Sequence, residues 1–375
     1  MMVYSRQKID NSDIEAVVEA LRSDMLTCGE RVVEFERGLC ELTGAKFAVA
    51  MNSATSALHA AYIALGVGQN DEVITTPITF AATANAALMC GARIKFADVL
   101  LNGNINPASI KELISDKTKV ITAVDFGGMP VDMDAIKALI KEQDIKIIDD
   151  ASHALGSSIN GKMVGTLADA TIFSFHAIKP ITTFEGGALL TNNEEIAKSA
   201  RLTRSHGMVK KQAWNMDMVA LGYNYRLSDV ACALGSSQLK RLDEFISRRD
   251  EIARIYDEAF SGSKHLKTIT IPSNMRSARH LYPVLLGEHL WCAKEDIFNE
   301  LHARGIGVQV HYKPTYQFSF YKALYGEQRL SGAEDFYRAE LSLPCHQMMS
   351  DDDAKFVITN LNELLEIYAS KSVCG

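Results

Sequence analysis

No stretch of this 375-residue chain approaches the roughly 18 consecutive apolar residues of a membrane-spanning helix. The opening MMVYSRQKIDNSD also lacks the apolar core of a secretory signal, so a cytoplasmic location is expected. No C-x-x-C pair occurs among Cys28, Cys40, Cys90, Cys232, Cys292, Cys345 and Cys374. Scattered cysteines of this kind predict free thiols and give no support to a zinc site. A basic excess is missing too: 39 Lys and Arg stand against 46 Asp and Glu, a net charge of −7. That balance argues against a nucleic-acid or anionic-membrane surface, and local groups rather than the global field must hold any anionic ligand. Internal repeats, low-complexity tracts and Pro/Gly/Ser-rich linkers are absent.

With 47% hydrophobic and 23% charged residues, the composition is that of an ordinary globular protein. The length suggests two domains, a large one over residues 1–245 and a smaller α+β one over 246–375. Residues 12–24, SDIEAVVEALRSD, carry Ser12 and then Glu15 three positions later, a capping-box pattern before an amphipathic helix. Seven apolar runs then read as strands: 47–51, 72–76, 94–99, 120–126, 145–150, 170–175 and 188–192. Helical stretches such as 82–91 and 132–143 lie between most of them, which predicts an α/β fold with a mostly parallel seven-stranded sheet. Beyond about residue 195, helical patterns dominate as far as residue 260, long enough for a bent helix joining two domains. Strands are expected again at HLYPVLL and GVQVHY.

Chemistry concentrates at the predicted strand ends, where an open parallel sheet binds ligands. Lys179 follows the strand ATIFSF on an irregular segment flanked by aromatics and hydroxyls, where desolvation can make an amine nucleophilic at neutral pH. Asp149 and Asp150 end IKIIDD, and an aspartate leaving an apolar strand needs a partner, either a metal or a cation. His153 follows three residues later, within reach of the same ligand. Asn52, Ser53, Ala54 and Thr55 open a helix whose N-terminus can receive phosphate, although Ser53 acting simply as the cap is an equal reading. Phe80 leaves another strand, as an aromatic platform or as core. Pyridoxal phosphate matches all of these groups: it needs an amine, a carboxylate at its pyridinium nitrogen, a phosphate cup and a stacking ring. The 29-residue interval from Asp150 to Lys179 spans a strand–loop–strand unit, which lets the two converge.

DDASHALG, FSFHAIKPITTFEGGALLTN, RSHGM, GYNYRLSDVACALGSSQL and VHYKP occur in the order found in the nucleotide-sugar aminotransferases, which the chain resembles over nearly its whole length. The resemblance implies the pyridoxal-phosphate fold type I, with a cofactor-binding large domain. It identifies Lys179 as the cofactor-anchoring lysine, Asp150 as the pyridinium partner, His153 as the group near the phenolic oxygen and Phe80 as the stacking ring. Ala54, Thr55 and Ser174 correspond to phosphate ligands, as does Asn224, which in the family comes from the other subunit of a homodimer. Thr27, Arg226, His311, Tyr312 and Lys313 correspond to the sugar-nucleotide side. NSATSALH, QVHYKPTYQ and AEDFYRAELSLPCH are similar to the branch acting in pseudaminic acid synthesis. There glutamate gives its amino group to C4 of a UDP-linked 2-acetamido-2,6-dideoxy-4-keto-L-hexose. Phe184 departs from the small residue that many relatives carry before EGG, and its bulk is expected to narrow the sugar side. Related sugar dehydratases replace the lysine with histidine, and a binding protein that had lost catalysis would lack Lys179 or Asp150. Both residues are present.

Overall fold

A computed structural model describes residues 2–371. Its central sheet has seven strands: β1 (Phe47–Met51), β2 (Glu72–Thr75), β3 (Arg93–Phe96), β4 (Thr118–Val124), β5 (Lys146–Asp150), β6 (Ala170–Ser174) and β7 (Gly187–Thr191). Their order across the sheet is β1-β7-β6-β5-β4-β2-β3. Neighbours from β6 to β3 run parallel, while β7 is antiparallel to both β1 and β6. The sequence pattern of continuous apolar runs is that of strands covered on both faces, and β6 and β7 are buried at every position. With their exits at one edge, β2, β4, β5 and β6 deliver Thr75, Val124, Asp150 and Ser174 to the same side of the molecule.

A second core forms between the long helix Leu242–Phe260, the C-terminal helix Asp351–Ser370 and a three-stranded antiparallel sheet. In that sheet Tyr282–Leu286 lies between Leu266–Thr268 and Glu340–Leu343. The expected bent helix is two helices, Asp229–Leu239 and Leu242–Phe260, which break at Lys240–Arg241. The strand expected at GVQVHY is absent: only Gln309 pairs, across to Ser342, through two backbone hydrogen bonds of 3.1 and 2.8 Å. Its alternation is used to turn His311 and Tyr312 toward a cavity rather than to extend a ladder. Two exposed strands, Met208–Gln212 and Asn215–Met218, form a hairpin that the sequence pattern did not reveal, since both are short and carry polar residues among their methionines. Cys28, Cys40, Cys90, Cys232 and Cys345 are free thiols as expected. Cys292 is instead disulfide-bonded, a pairing that scattered cysteines do not announce, and Cys374 lies outside the described residues. No described helix is long and apolar enough to cross a membrane.

The first helix, Asn11–Leu21, is capped two residues earlier than the capping-box pattern suggests. Asp10 accepts from Ser12 N–H at 2.9 Å, and Asp13 accepts from Asp10 N–H at 3.1 Å. Tertiary contacts decide the matter. Asp13 is fully buried, accepts from Gln238 Nε2 at 2.6 Å and pairs with the Arg241 guanidinium. Asp13→Ala should therefore cost about 3 kcal/mol, because it strands a cation and an amide in a dry site. Glu15→Ala should change stability by less than about 0.5 kcal/mol. Urea titrations of the two variants check this, and equal effects would restore Ser12 and Glu15 as the cap.

Candidate active site

The exits of β4, β5 and β6, the turn before helix Ala54–Ala64 and the segment 309–312 enclose a cavity of about 700 Å³. Lys179 sits on the loop that leaves β6. Phe175 and Gly186 close this loop through N–H to C=O at 2.8 Å, and Lys179 N–H donates to His176 C=O at 2.9 Å. Burial depresses its ammonium to about 7, only partly opposed by the attraction of Asp150. An amine of this kind is available as a free base near neutrality.

Asp150 is the carboxylate most completely held. Thr83 Oγ1 donates to Oδ2 at 2.7 Å, while Ser152 donates to Oδ1 through its hydroxyl at 2.6 Å and its N–H at 3.3 Å. Asp149 points to the other side of the strand, fully buried with no hydrogen-bond partner on either oxygen. Burial and the neighbouring Asp125 and Asp150 push it well above the carboxylate range. Asp125, following β4, is pushed up to about 8, first by burial. Burial thus pushes two of the three acids at these strand ends toward their neutral forms.

Three buried histidines surround the lysine. His153 Nδ1 accepts from Gly127 N–H at 3.3 Å, which places its proton on Nε2, 3.2 Å from the Tyr312 hydroxyl. Burial and the charge of Lys179 hold its pKa well below the ordinary range. His280 Nε2 lies 3.4 Å from Lys179 Nζ, and its ring is 4.5 Å from that of His153. Sequence reasoning missed His280: it comes 101 residues after Lys179 with no local motif around it. Thr83 and Ser152 were also missed, although both stand beside residues already singled out.

Lys179, Asp150, His153, Ala54, Thr55, Ser174, Phe80, His311 and Tyr312 all line this one cavity. Thr27, Asn224, Arg226 and Lys313 do not. Thr27 bridges to Ser228, Asn224 to Ser205 and Arg226 to Met51, while Lys313 stands over the Phe318 ring. Phe184 is outside the lining as well. Its left-handed φ of 68° goes with a 56% exposed side chain, so within this chain it does not narrow the site as expected. Ser53 caps its helix through Ser56 N–H at 3.1 Å, and it also lines the cavity.

Residues 7–362 match the DegT/DnrJ/EryC1/StrS aminotransferase family. The chain belongs to this family. It is 54% identical, over the whole of both chains, to the UDP-4-amino-4,6-dideoxy-N-acetyl-beta-L-altrosamine transaminase of Campylobacter jejuni subsp. jejuni serotype O:23/36. Among solved structures it superposes on Helicobacter pylori PseC, an aminotransferase involved in the biosynthesis of pseudoaminic acid. The TM-score is 0.95 at 41% identity, covering 98% of this chain and 99% of that one. A Streptococcus pneumoniae protein described as a sugar aminotransferase, Spr1654 in its PLP-form, superposes with a TM-score of 0.93 at 30% identity, covering 99% and 100%. The protein is thus a pyridoxal-phosphate-dependent sugar aminotransferase with an α/β fold of that class.

The cavity fits this cofactor. Phe80 is 67% exposed on its wall, a large apolar ring that a flat heterocycle can cover. Helix Ala54–Ala64 leaves the N–H groups of Ala54 and Thr55 without acceptors in the helix, a ready anion site. Gly187 pairs with both Met51 and Ser174, and a Cβ there would stand 2.4 Å from Ala54 N. Only glycine lets β7 pass this close beneath the turn. Gly187→Ala should cost on the order of 2 kcal/mol of stability and release the cofactor more readily, both read from thermal unfolding and bound absorbance; wild-type behaviour in each would refute the close-packing account. A second expectation concerns pH. In cofactor-free protein, reductive methylation of Lys179 should rise from about pH 6 to 8, with its midpoint near the value of about 7. A midpoint near that of an ordinary lysine would show the amine to be solvated.

Proposed function

We propose that this aminotransferase moves the amino group of L-glutamate to C4 of a UDP-linked 2-acetamido-2,6-dideoxy-4-keto-L-hexose. The product is UDP-4-amino-4,6-dideoxy-N-acetyl-β-L-altrosamine, an intermediate of pseudaminic acid biosynthesis in the cytoplasm. The observation that carries this reading is the 54% identity with a transaminase of that name over the full length of both chains.

When bound, pyridoxal phosphate supplies an aldehyde that takes up the amino group and a cationic ring that stores the electron pair left on carbon. Lys179 anchors it, then acts as base and acid, taking a proton from the glutamate carbon and later giving one to sugar C4. Its low pKa suits both roles. Asp150 would hold the ring nitrogen's proton, its carboxylate fixed in place by Thr83 and Ser152. Ala54, Thr55 and Ser174 take the phosphate, Phe80 stacks on the ring and His153 stands at the phenolic oxygen. Thr27, Arg226, His311, Tyr312 and Lys313 serve the sugar nucleotide.

Residues 1–245 form the cofactor-binding unit in this reading and 246–375 the smaller one, and two copies pair as a homodimer with shared sites. Support for pairing comes from the hairpin and the segment after it, where Trp214, Met216, Met218 and Leu221 are 82%, 54%, 63% and 72% exposed. The same stretch leads directly into Asn224 and Arg226, which are outside the lining of this chain's own cavity and in this reading complete the partner's phosphate and UDP sites.

Offered glutamate with L- and D-configured UDP-4-keto sugars, the enzyme should aminate the L-sugar at C4; preference for the D-sugar would assign it to another nucleotide-sugar branch. Lys179→Ala should abolish turnover with the fold intact, and activity near that of the parent would sink the role of the lysine. Mixing Lys179→Ala protein with an Asn224→Ala, Arg226→Ala protein should restore part of the activity, because one site of each heterodimer carries neither defect. Subunit exchange without recovery would place the site within one chain.

A further inference from the structure

His311 is held from behind by groups that belong to neither the cofactor site nor the cavity wall. Its Nδ1 lies 2.8 Å from Ser342 Oγ, and the Ser342 hydroxyl donates to Glu340 Oε1 at 2.6 Å. The other oxygen of Glu340 accepts the backbone N–H of His311 at 2.7 Å. All three side chains are buried, with Glu340 and Ser342 at 0% exposure and His311 at 5%. The backbone pairing of Gln309 with Ser342 fixes the same segment from its other side.

The hydrogen bonds along this chain place the imidazole proton. Both oxygens of Glu340 accept, as in a carboxylate; burial raises Glu340 to about 7, while the bonds from Ser342 and His311 and the buried Lys294 favour its charged form. Having given its only hydrogen to Glu340, Ser342 Oγ has nothing but lone pairs for the ring, so Nδ1 must carry the proton. Nε2 then holds a lone pair. It has no hydrogen-bond partner among the described residues, and His311 lines the cavity that contains Lys179.

We propose that Glu340 and Ser342 are positioning residues that fix the Nδ1–H form of His311 and so present Nε2 to the cavity as an acceptor for a hydroxyl or acetamido N–H of the hexose. The hexose part rests on the nucleotide-sugar reading above; the relay itself does not. Burial and the nearby Lys179 charge depress His311 to about 3, which keeps the ring neutral and the lone pair available. Neither positioning residue was evident from the sequence. Glu340 and Ser342 lie about 30 residues beyond His311, on a strand of the other core, where alternation marks them only as half of a buried ladder.

The test reads the tautomer directly, by nitrogen NMR of histidine-labelled protein, with the His311 signals assigned by their loss in His311→Gln. The parent should show Nδ1–H. In Ser342→Ala the acceptor for that proton is gone. In Glu340→Gln the amide donates to Ser342 and turns its hydroxyl toward Nδ1. Both variants should shift His311 toward the Nε2–H form and raise KM for the UDP-keto sugar about tenfold, the worth of one hydrogen bond, with a smaller change in kcat. An unchanged tautomer in both variants overturns the relay, and a shifted tautomer with unchanged KM overturns its role in sugar binding. Should Glu340→Gln fail to fold, the smaller Ser342→Ala change decides alone. If the parent does not turn over a UDP-keto sugar, the substrate reading fails while the tautomer still decides the relay.

Discussion

Keeping the amine of Lys179 dry is the constraint on which the rest of the site depends. An ammonium at this position is opposed by burial and attracted chiefly by Asp150, and the balance brings it to about 7. The cost is visible around it: His153 and His280 are pushed well below their ordinary range by burial and by the charge of Lys179, and His311 down to about 3. Three neutral imidazoles thus stand around the amine. Burial pushes Asp125 up to about 8 and Asp149 well above the carboxylate range, so the same strand ends also resist negative charge.

That dryness is maintained from a distance. Arg249, fully buried on the long helix, donates to the carbonyls of Arg279, His280 and Cys345 at 3.2, 3.3 and 2.6 Å. It also reaches the hydroxyl of Ser5, which donates to Ile178 C=O at 2.9 Å, one residue before the lysine. One guanidinium thus ties the segment bearing His280, the N-terminal segment and the lysine loop together. It holds no carboxylate, and burial lowers it to about 10. Its partners are backbone dipoles, which a flat five-donor fork can satisfy several at a time.

Much of the fold was legible because buried parallel strands are continuous apolar runs, and seven such runs are the seven strands of the sheet. The site residues carried on those strand ends, Asp150, Ser174 and Lys179, were legible with them. Elsewhere local signals lost to tertiary contacts. Asp10 rather than Ser12 caps the first helix, because Gln238 and Arg241 fix Asp13 from 225 and 228 residues away. Asp98, read as strand, instead accepts the N–H groups of Gly332 and Ala333, at the start of a distant helix. The strands of the hairpin at 208–218 are five and four residues long, with lysines, Gln212 and Asp217 among the methionines, too short and mixed to read as strands.

By itself the sequence determined the sheet, the nucleophile, its carboxylate and the family, since strand burial leaves a composition signal and each motif lies within one short segment. Only the tertiary structure decided that His280 stands beside Lys179, that Thr83 and Ser152 clamp Asp150 from two elements, and that Glu340 and Ser342 set the face His311 shows to the cavity. It likewise left Asn224 and Arg226 outside the lining of the chain's own cavity. The physical reason is common to all of them: a hydrogen bond constrains atoms a few ångströms apart in space, and when its partners lie scores of residues apart, neither periodicity nor spacing records it.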